Sequence, residues 1–213
     1  MNVPLTGVDS AKKTFTYLAL GDSYTIGQNV PASDNYPNQI VQLLTKSNIY
    51  GKLKIIATTG WTTNDLKNGI SKDDNLLLSY DIVTLLIGVN NQYQHKPIET
   101  YKTEFKELLD KSVQFANGNP YHVVVLSIPD WGVTPFANGR DRTLISKEID
   151  QYNSINKDIS SKAGVNYLDI TPWTREAASD PSLLASDQLH PSGKEYARWA
   201  ESLSVLFKGI LAN

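Results

Sequence analysis

Five short runs of β-branched and aliphatic residues, separated by stretches of helical character, constrain this chain more than anything else in it. They are residues 15–20, 53–57, 82–87, 122–128 and 165–168. The third reads Ile82-Val83-Thr84-Leu85-Leu86-Ile87 and is nearly all apolar. A strand with one wet face alternates in polarity, whereas a strand covered on both faces need not. Between the runs the spacing changes to that of a helix. Ile98, Tyr101, Phe105, Leu108, Leu109 and Val113 share one helix face. So do Ile145, Ile149, Tyr152, Ile155 and Ile159, and again Tyr196, Trp199, Ala200, Leu203, Leu206 and Phe207. Thr62, Thr63 or Asn64 can cap a helix running to about Ser71, and Pro191 suits a helix's first turn. The charged stretch 99–111 reads as a solvated helix face. Strands alternating with helices predict a doubly wound α/β fold with a five-stranded parallel sheet.

Composition narrows what such a scaffold does. A length of 213 residues predicts one domain, 1–213, with residues 1–13 as an extended N-terminal segment. A net charge of −2 gives no electrostatic case for nucleic acid or an anionic membrane. The absence of cysteine excludes disulfides, a thiol nucleophile and thiolate metal sites. No run approaches the roughly 18 apolar residues of a membrane span, so no integral membrane contact is expected. Residues 1–13 lack an apolar signal core, which fits a cytoplasmic chain as written or an exported one whose leader has been removed. Location and oligomeric state stay open.

The polar residues fall in a pattern on this scaffold. Ser23 follows the first run in Gly21-Asp22-Ser23-Tyr24-Thr25-Ile26-Gly27. Gly60 follows the second in Thr58-Thr59-Gly60-Trp61, and Asn90 the third in Gly88-Val89-Asn90-Asn91. Asp187-Gln188-Leu189-His190 lies beyond the fifth. In a parallel sheet all of these stand at the carboxyl edge, where open α/β sheets bind ligands at the reversal of strand order. In an order 2-1-3-4-5 that reversal lies between strands 1 and 3, which carry Ser23 and Asn90. A serine hydroxyl is a poor nucleophile until a base takes its proton; a histidine does so near neutral pH when a carboxylate orients it. One turn between Asp187 and His190 can set the carboxylate against Nδ1 and leave Nε2 facing Ser23. An oxyanion needs preorganised donors. The backbone N–H groups of Ser23 and Gly60 and the Asn90 amide could supply three, with Gly60 allowing close approach. Each block alone is commonly a turn or a cap; four in this order on successive strand ends are hard to dismiss. Asp169 is a rival carboxylate, expected instead to brace the turn Thr171-Pro172-Trp173.

These blocks, Gly21-Asp22-Ser23, Gly60, Gly88-Val89-Asn90 and Asp187-x-x-His190, span most of the chain. They resemble those of the SGNH hydrolase (GDSL-type esterase/lipase) superfamily. The resemblance implies a three-layer α/β/α, flavodoxin-like fold and hydrolysis of small acyl esters without cofactor. It makes Ser23 the nucleophile, His190 the base and Asp187 its partner, with Ser23, Gly60 and Asn90 as the oxyanion hole. Two positions depart from the family's usual blocks: Tyr24 stands where leucine is common, and Asn91 where aspartate is common. Neither replaces a catalytic residue; acyl length and alcohol stay open.

Other readings fit less well. No Gly-x-Ser-x-Gly elbow surrounds Ser23, and no Gly-rich phosphate loop is present. His95 and His122 lack ligand spacing, so no metal is expected. An acyltransferase using the same acyl-enzyme is one alternative. A non-catalytic flavodoxin-like binding domain is the other, though it has no need of the serine, histidine and aspartate. Two connections, 21–36 and 129–143, exceed the usual loop length, and such loops often carry function. Trp131 and Phe136, in the second, are expected to wall an acyl or alcohol pocket. Trp61, Tyr93 and Trp173 are expected to tuck beneath loops.

Overall fold

A computed structural model describes residues 12–212. The expected extended segment 1–13 falls mostly outside them, and Lys13 already opens the first strand. The strands are β1 (Lys13–Gly21), β2 (Ile49–Ala57), β3 (Ile82–Leu86), β4 (Val123–Leu126) and β5 (Asn166–Leu168). They form one parallel sheet in the order β2-β1-β3-β4-β5, as the sequence predicts. The helices are α1 (Ser23–Ile26), α2 (Tyr36–Thr45), α3 (Thr63–Ser71), α4 (Val89–Tyr93), α5 (Ile98–Phe115), α6 (Arg142–Ala163), α7 (Thr171–Arg175) and α8 (Gly193–Ala212).

Burial explains which runs were legible. Every residue of β3 and β4 is buried, so these strands read as continuous apolar runs. The edge strand β2 is only partly covered, and it extends four residues before the predicted run, from Ile49 to Lys52. Gly51 and Lys52 break the apolar pattern there. Helices cover both faces of the sheet. On one face α2 packs along α8, and the Tyr36 ring stands 6.0 Å from Trp199. Tyr17 of β1 meets Phe207 of α8 edge-on at 5.0 Å. On the other face α5 packs between α3 and α6, with Tyr101 and Tyr152 at 4.5 Å. No helix of the described residues is long and apolar enough to cross a membrane.

Two helix starts show how local chemistry sets boundaries. Thr62 caps α3: its hydroxyl accepts from the Asp65 N–H while the Asp65 carboxylate reaches back to Thr62. The expectation for Pro191 needs correcting. It lies outside α8, in an isolated antiparallel bridge with Leu184. Ser192 takes the capping place instead, its hydroxyl accepting from the Glu195 N–H at 3.4 Å.

Phe207→Ala tests the α8 side of the core. The ring is fully buried against Tyr17 and Phe15. Its loss should cost about 3–5 kcal/mol in urea unfolding. Val205→Ala on the same helix, at a side chain 72% exposed, should be nearly silent. Equal effects would contradict this packing.

Candidate active site

Ser23 is the first residue of α1, two residues past the end of β1. The turn between them is tight. A Cβ at Gly21 would collide with the Thr25 hydroxyl and lie 2.6 Å from the Leu86 carbonyl oxygen. Asp22 caps α1, its Oδ1 accepting from the Tyr24 N–H at 3.0 Å. The cap holds Ser23 at the carboxyl edge of the sheet, 4% exposed.

His190 reaches this hydroxyl from far along the chain. Its Nε2 lies 2.9 Å from Ser23 Oγ, and its Nδ1 lies 2.6 Å from Asp187 Oδ2. Asp187 is held by the loop it starts. Its Oδ1 accepts the backbone N–H groups of Leu189 and His190 at 3.1 and 3.0 Å. Gln188 takes a positive φ of 58°, which folds the loop back so that Asp187 and His190 face each other. The Asn29 side chain also donates to Asp187 Oδ2. Partial burial works to raise the Asp187 pKa. The hydrogen bonds from His190, Leu189 and Asn29 outweigh it, so the carboxyl sits below its usual value.

Gly60 and Asn90 arrive from the neighbouring strands. Gly60 lies in the turn after β2 with φ +83°, and the space where its Cβ would stand is open. Asn90 sits in α4 after β3. Its Nδ2 donates to the Trp61 carbonyl at 3.1 Å and to Asp22 Oδ2 at 3.3 Å. Asp22 is wholly buried, and burial pushes its pKa up to about 7 despite hydrogen bonds from the Tyr24 N–H and Asn90.

Ser23, Gly60, Asn90 and His190 line one cavity of about 160 Å³, and Asp187 stands outside its lining, bonded to His190. Trp131 and Phe136 form part of its wall. Tyr93 joins them, against expectation: α4 is only five residues long, and its last ring meets Trp131 edge-on at 5.4 Å instead of tucking under a loop. Trp61 packs over Gly69, and the Trp173 ring lies under Arg198. The 129–143 connection is tied down rather than loose. Asp130 caps a short turn through the Gly132 N–H at 2.9 Å and pairs with Arg175 at 2.9 Å. Asp169 accepts from Ser127 Oγ at 2.9 Å and the Thr171 N–H at 3.3 Å, which braces the start of α7.

Several site residues escaped the sequence reading. Asn29 carries no motif signal. Tyr24 was noted only as a departure; its ring packs on the His190 imidazole at 4.8 Å. Leu189 also lines the cavity. Among the described residues, no group of three His, Asp or Glu side chains is placed to hold a metal ion. A wider groove of about 630 Å³ beside Leu76, Leu77 and Leu78 contains no histidine.

Comparison with curated protein sequences returns no match. Solved structures do match. Axe2, an acetylxylan esterase from Geobacillus stearothermophilus, superposes with a TM-score of 0.70 at 18% identity, over 92% of this chain and 95% of its own. A lipase/acylhydrolase from Enterococcus faecalis gives 0.66 at 19% identity, over 92% and 95%. The psychrotrophic esterase EstA from Pseudoalteromonas sp. gives 0.66 at 19% identity, over 93% and 99%. At these identities the likeness establishes the fold. The sequence itself matches the model of the GDSL-like Lipase/Acylhydrolase family over residues 19–198. That match covers most of the chain, including all four motif blocks, and the protein belongs to the GDSL-like lipase/acylhydrolase family of carboxylic ester hydrolases.

Proposed function

We propose that the protein cleaves esters of short acyl groups through an acyl-enzyme on Ser23. The observation that carries this reading is the unbroken hydrogen-bonded chain Asp187–His190–Ser23, at 2.6 and 2.9 Å, opening into one cavity with Gly60 and Asn90. His190 Nε2 takes the Ser23 proton as Oγ attacks the ester carbonyl carbon. Negative charge moves to the carbonyl oxygen, facing the N–H groups of Ser23 and Gly60 and the Asn90 amide. Of the two bonds that Asn90 now makes, the one to Asp22 at 3.3 Å is long for N–H···O, and a charged oxyanion offers the amide a stronger partner. The tetrahedral species collapses, the C–O bond breaks, and the alcohol leaves with the proton from Nε2. Water then attacks the acyl-enzyme with His190 again as base, which releases the acid and restores Ser23. Asp187 keeps the imidazole in the productive tautomer and stabilises its charged form.

Cavity size supports a short acyl group. About 160 Å³ is roughly the space of five waters. An acetyl group, which the Geobacillus enzyme's name associates with xylan, fits such a space.

Ser23→Ala should lower hydrolysis of a short-chain ester by about 10³-fold or more while the melting temperature is kept. Wild-type-like turnover by the folded variant would remove Ser23 from the chemistry.

Asn90→Ala should act on kcat, by about 10²–10³, more than on KM, because its amide meets charge that develops in the transition state. A change confined to KM would assign Asn90 to ground-state binding.

Asp187→Asn and Asp169→Asn should separate cleanly. The first is expected to reduce kcat at least roughly tenfold, because the amide favours the wrong imidazole tautomer. The second should leave kcat unchanged and cost about 1 kcal/mol of stability as a lost brace. The reverse pattern, in kcat and melting temperature, would overturn the assignment.

A further inference from the structure

Of the four arginines in the chain, three are fully engaged. Arg175 pairs with Asp130 and Asp150, and Arg198 with Glu195 and Glu176. Arg142 donates to the carbonyls of Gly132 and Val133. Arg140 differs. Its guanidinium stands 5.0, 5.2 and 5.8 Å from the ring centroids of Tyr93, Trp131 and Phe136. Those centroids are 5.4, 6.3 and 6.0 Å apart, so the cation and three rings mark the corners of a nearly regular tetrahedron. Among the described residues the Arg140 guanidinium has no carboxylate or carbonyl partner; it donates only to the Tyr93 hydroxyl, at 3.1 Å. The adjacent carboxylate, Asp141, is occupied as the cap of α6, accepting from the Leu144 N–H at 2.9 Å.

The three rings are also wall residues of the Ser23 cavity. They grade from closed to open: Trp131 is 3% exposed, Tyr93 37% and Phe136 41%. Arg140 is exposed on this cluster. Ring faces hold a guanidinium by its charge without consuming its N–H groups. Of five planar donors, most are therefore free while the side chain is already ordered. Such a group matches the two oxygens of a carboxylate, and prior ordering lowers the entropic cost of binding.

We propose that Arg140 is an anion-recognition residue at the rim of the Ser23 cavity, and that the preferred esters carry a carboxylate on the portion that extends to that rim. The inference rests on the Ser23 cavity being the ester-cleaving site. Arg140 touches no reacting atom; it acts on specificity.

The test uses two matched pairs of esters. 4-Acetoxybenzoate and 4-acetoxybenzamide differ in charge on the alcohol side. The 4-nitrophenyl monoesters of succinic acid and of succinamic acid differ on the acyl side. In at least one pair the wild type should favour the anion in kcat/KM, mainly through KM, and added salt should weaken the preference. Arg140→Gln should lower the anion-to-neutral ratio about five- to tenfold, and Arg140→Lys by less. An Arg140 that only braces the rings would slow both members of a pair equally. A ratio unchanged in Arg140→Gln for both pairs, or no anion preference in the wild type, overturns the proposal while leaving the esterase reading intact. Calorimetric binding of 4-hydroxybenzoate against 4-hydroxybenzamide makes the same comparison without turnover. Weaker binding of the benzoate alone in Arg140→Gln supports the proposal, and equal binding of the two by the wild type counts against it. Absence of hydrolysis of every ester by the wild type, or full activity in Ser23→Ala, instead removes the reading of the site itself.

Discussion

The parallel pairing of β1 with both β2 and β3 is the constraint from which the site follows. In the register, Gly21 at the end of β1 is level with Ala57 at the end of β2 and with Leu86 at the end of β3. Three strand ends therefore lie on one line. The chain leaves that line through short turns, so Ser23, Gly60 and Asn90 emerge beside one another. β1 can hold this central place because Tyr17, Leu18, Ala19 and Leu20 are fully buried between two helical layers. Its last residue must be small, because Thr25 and the Leu86 carbonyl close over it. A one-residue slip of β1 would turn its buried side chains to the opposite faces and carry Ser23 away from Asn90.

His190 and Asp187 complete the arrangement from the other end of the chain, and here local chemistry does most of the work. Two backbone N–H groups and the ring nitrogen of His190 all converge on Asp187, within four residues. These contacts are local to the loop. Tyr24 adds a long-range contact by packing its ring on the imidazole. The carboxylates of the site differ in environment. Asp187 is stabilised as an anion by its donors, whereas burial favours the neutral form of Asp22. In the proposed mechanism this difference is useful. Negative charge on Asp187 supports the imidazolium, while burial works against the charged form of Asp22 beside the developing oxyanion.

How much of this was legible in the sequence depended on sequence distance. β3 and β4 were plain because burial on both faces leaves only apolar residues. The beginning of β2 was hidden because an edge strand tolerates Gly51 and Lys52. Asp187 and His190 could be paired because they are only three positions apart. Asn29 could not be connected to Asp187, because they are 158 positions apart and nothing in either segment announces the contact. Tyr93 and Arg140 are similar. The place of Tyr93 on the cavity wall, and of Arg140 against its rings, comes from α4 meeting the 129–143 connection, a long-range event with no periodic signature. Pro191 misled because proline favours a first helical turn, while Ser192 next to it was the better cap.

The central claim is that Ser23 carries the acyl group, and the most direct measurement is mass spectrometry of the protein after reaction with an activated alkyl phosphonate ester. The account predicts one adduct per chain, mapped to the peptide containing Ser23, with its appearance following loss of esterase activity. Labelling should be abolished in Ser23→Ala and strongly slowed in His190→Ala, because the hydroxyl then lacks its base. Complete inactivation with the adduct on another residue, or undiminished labelling of Ser23→Ala, would contradict it.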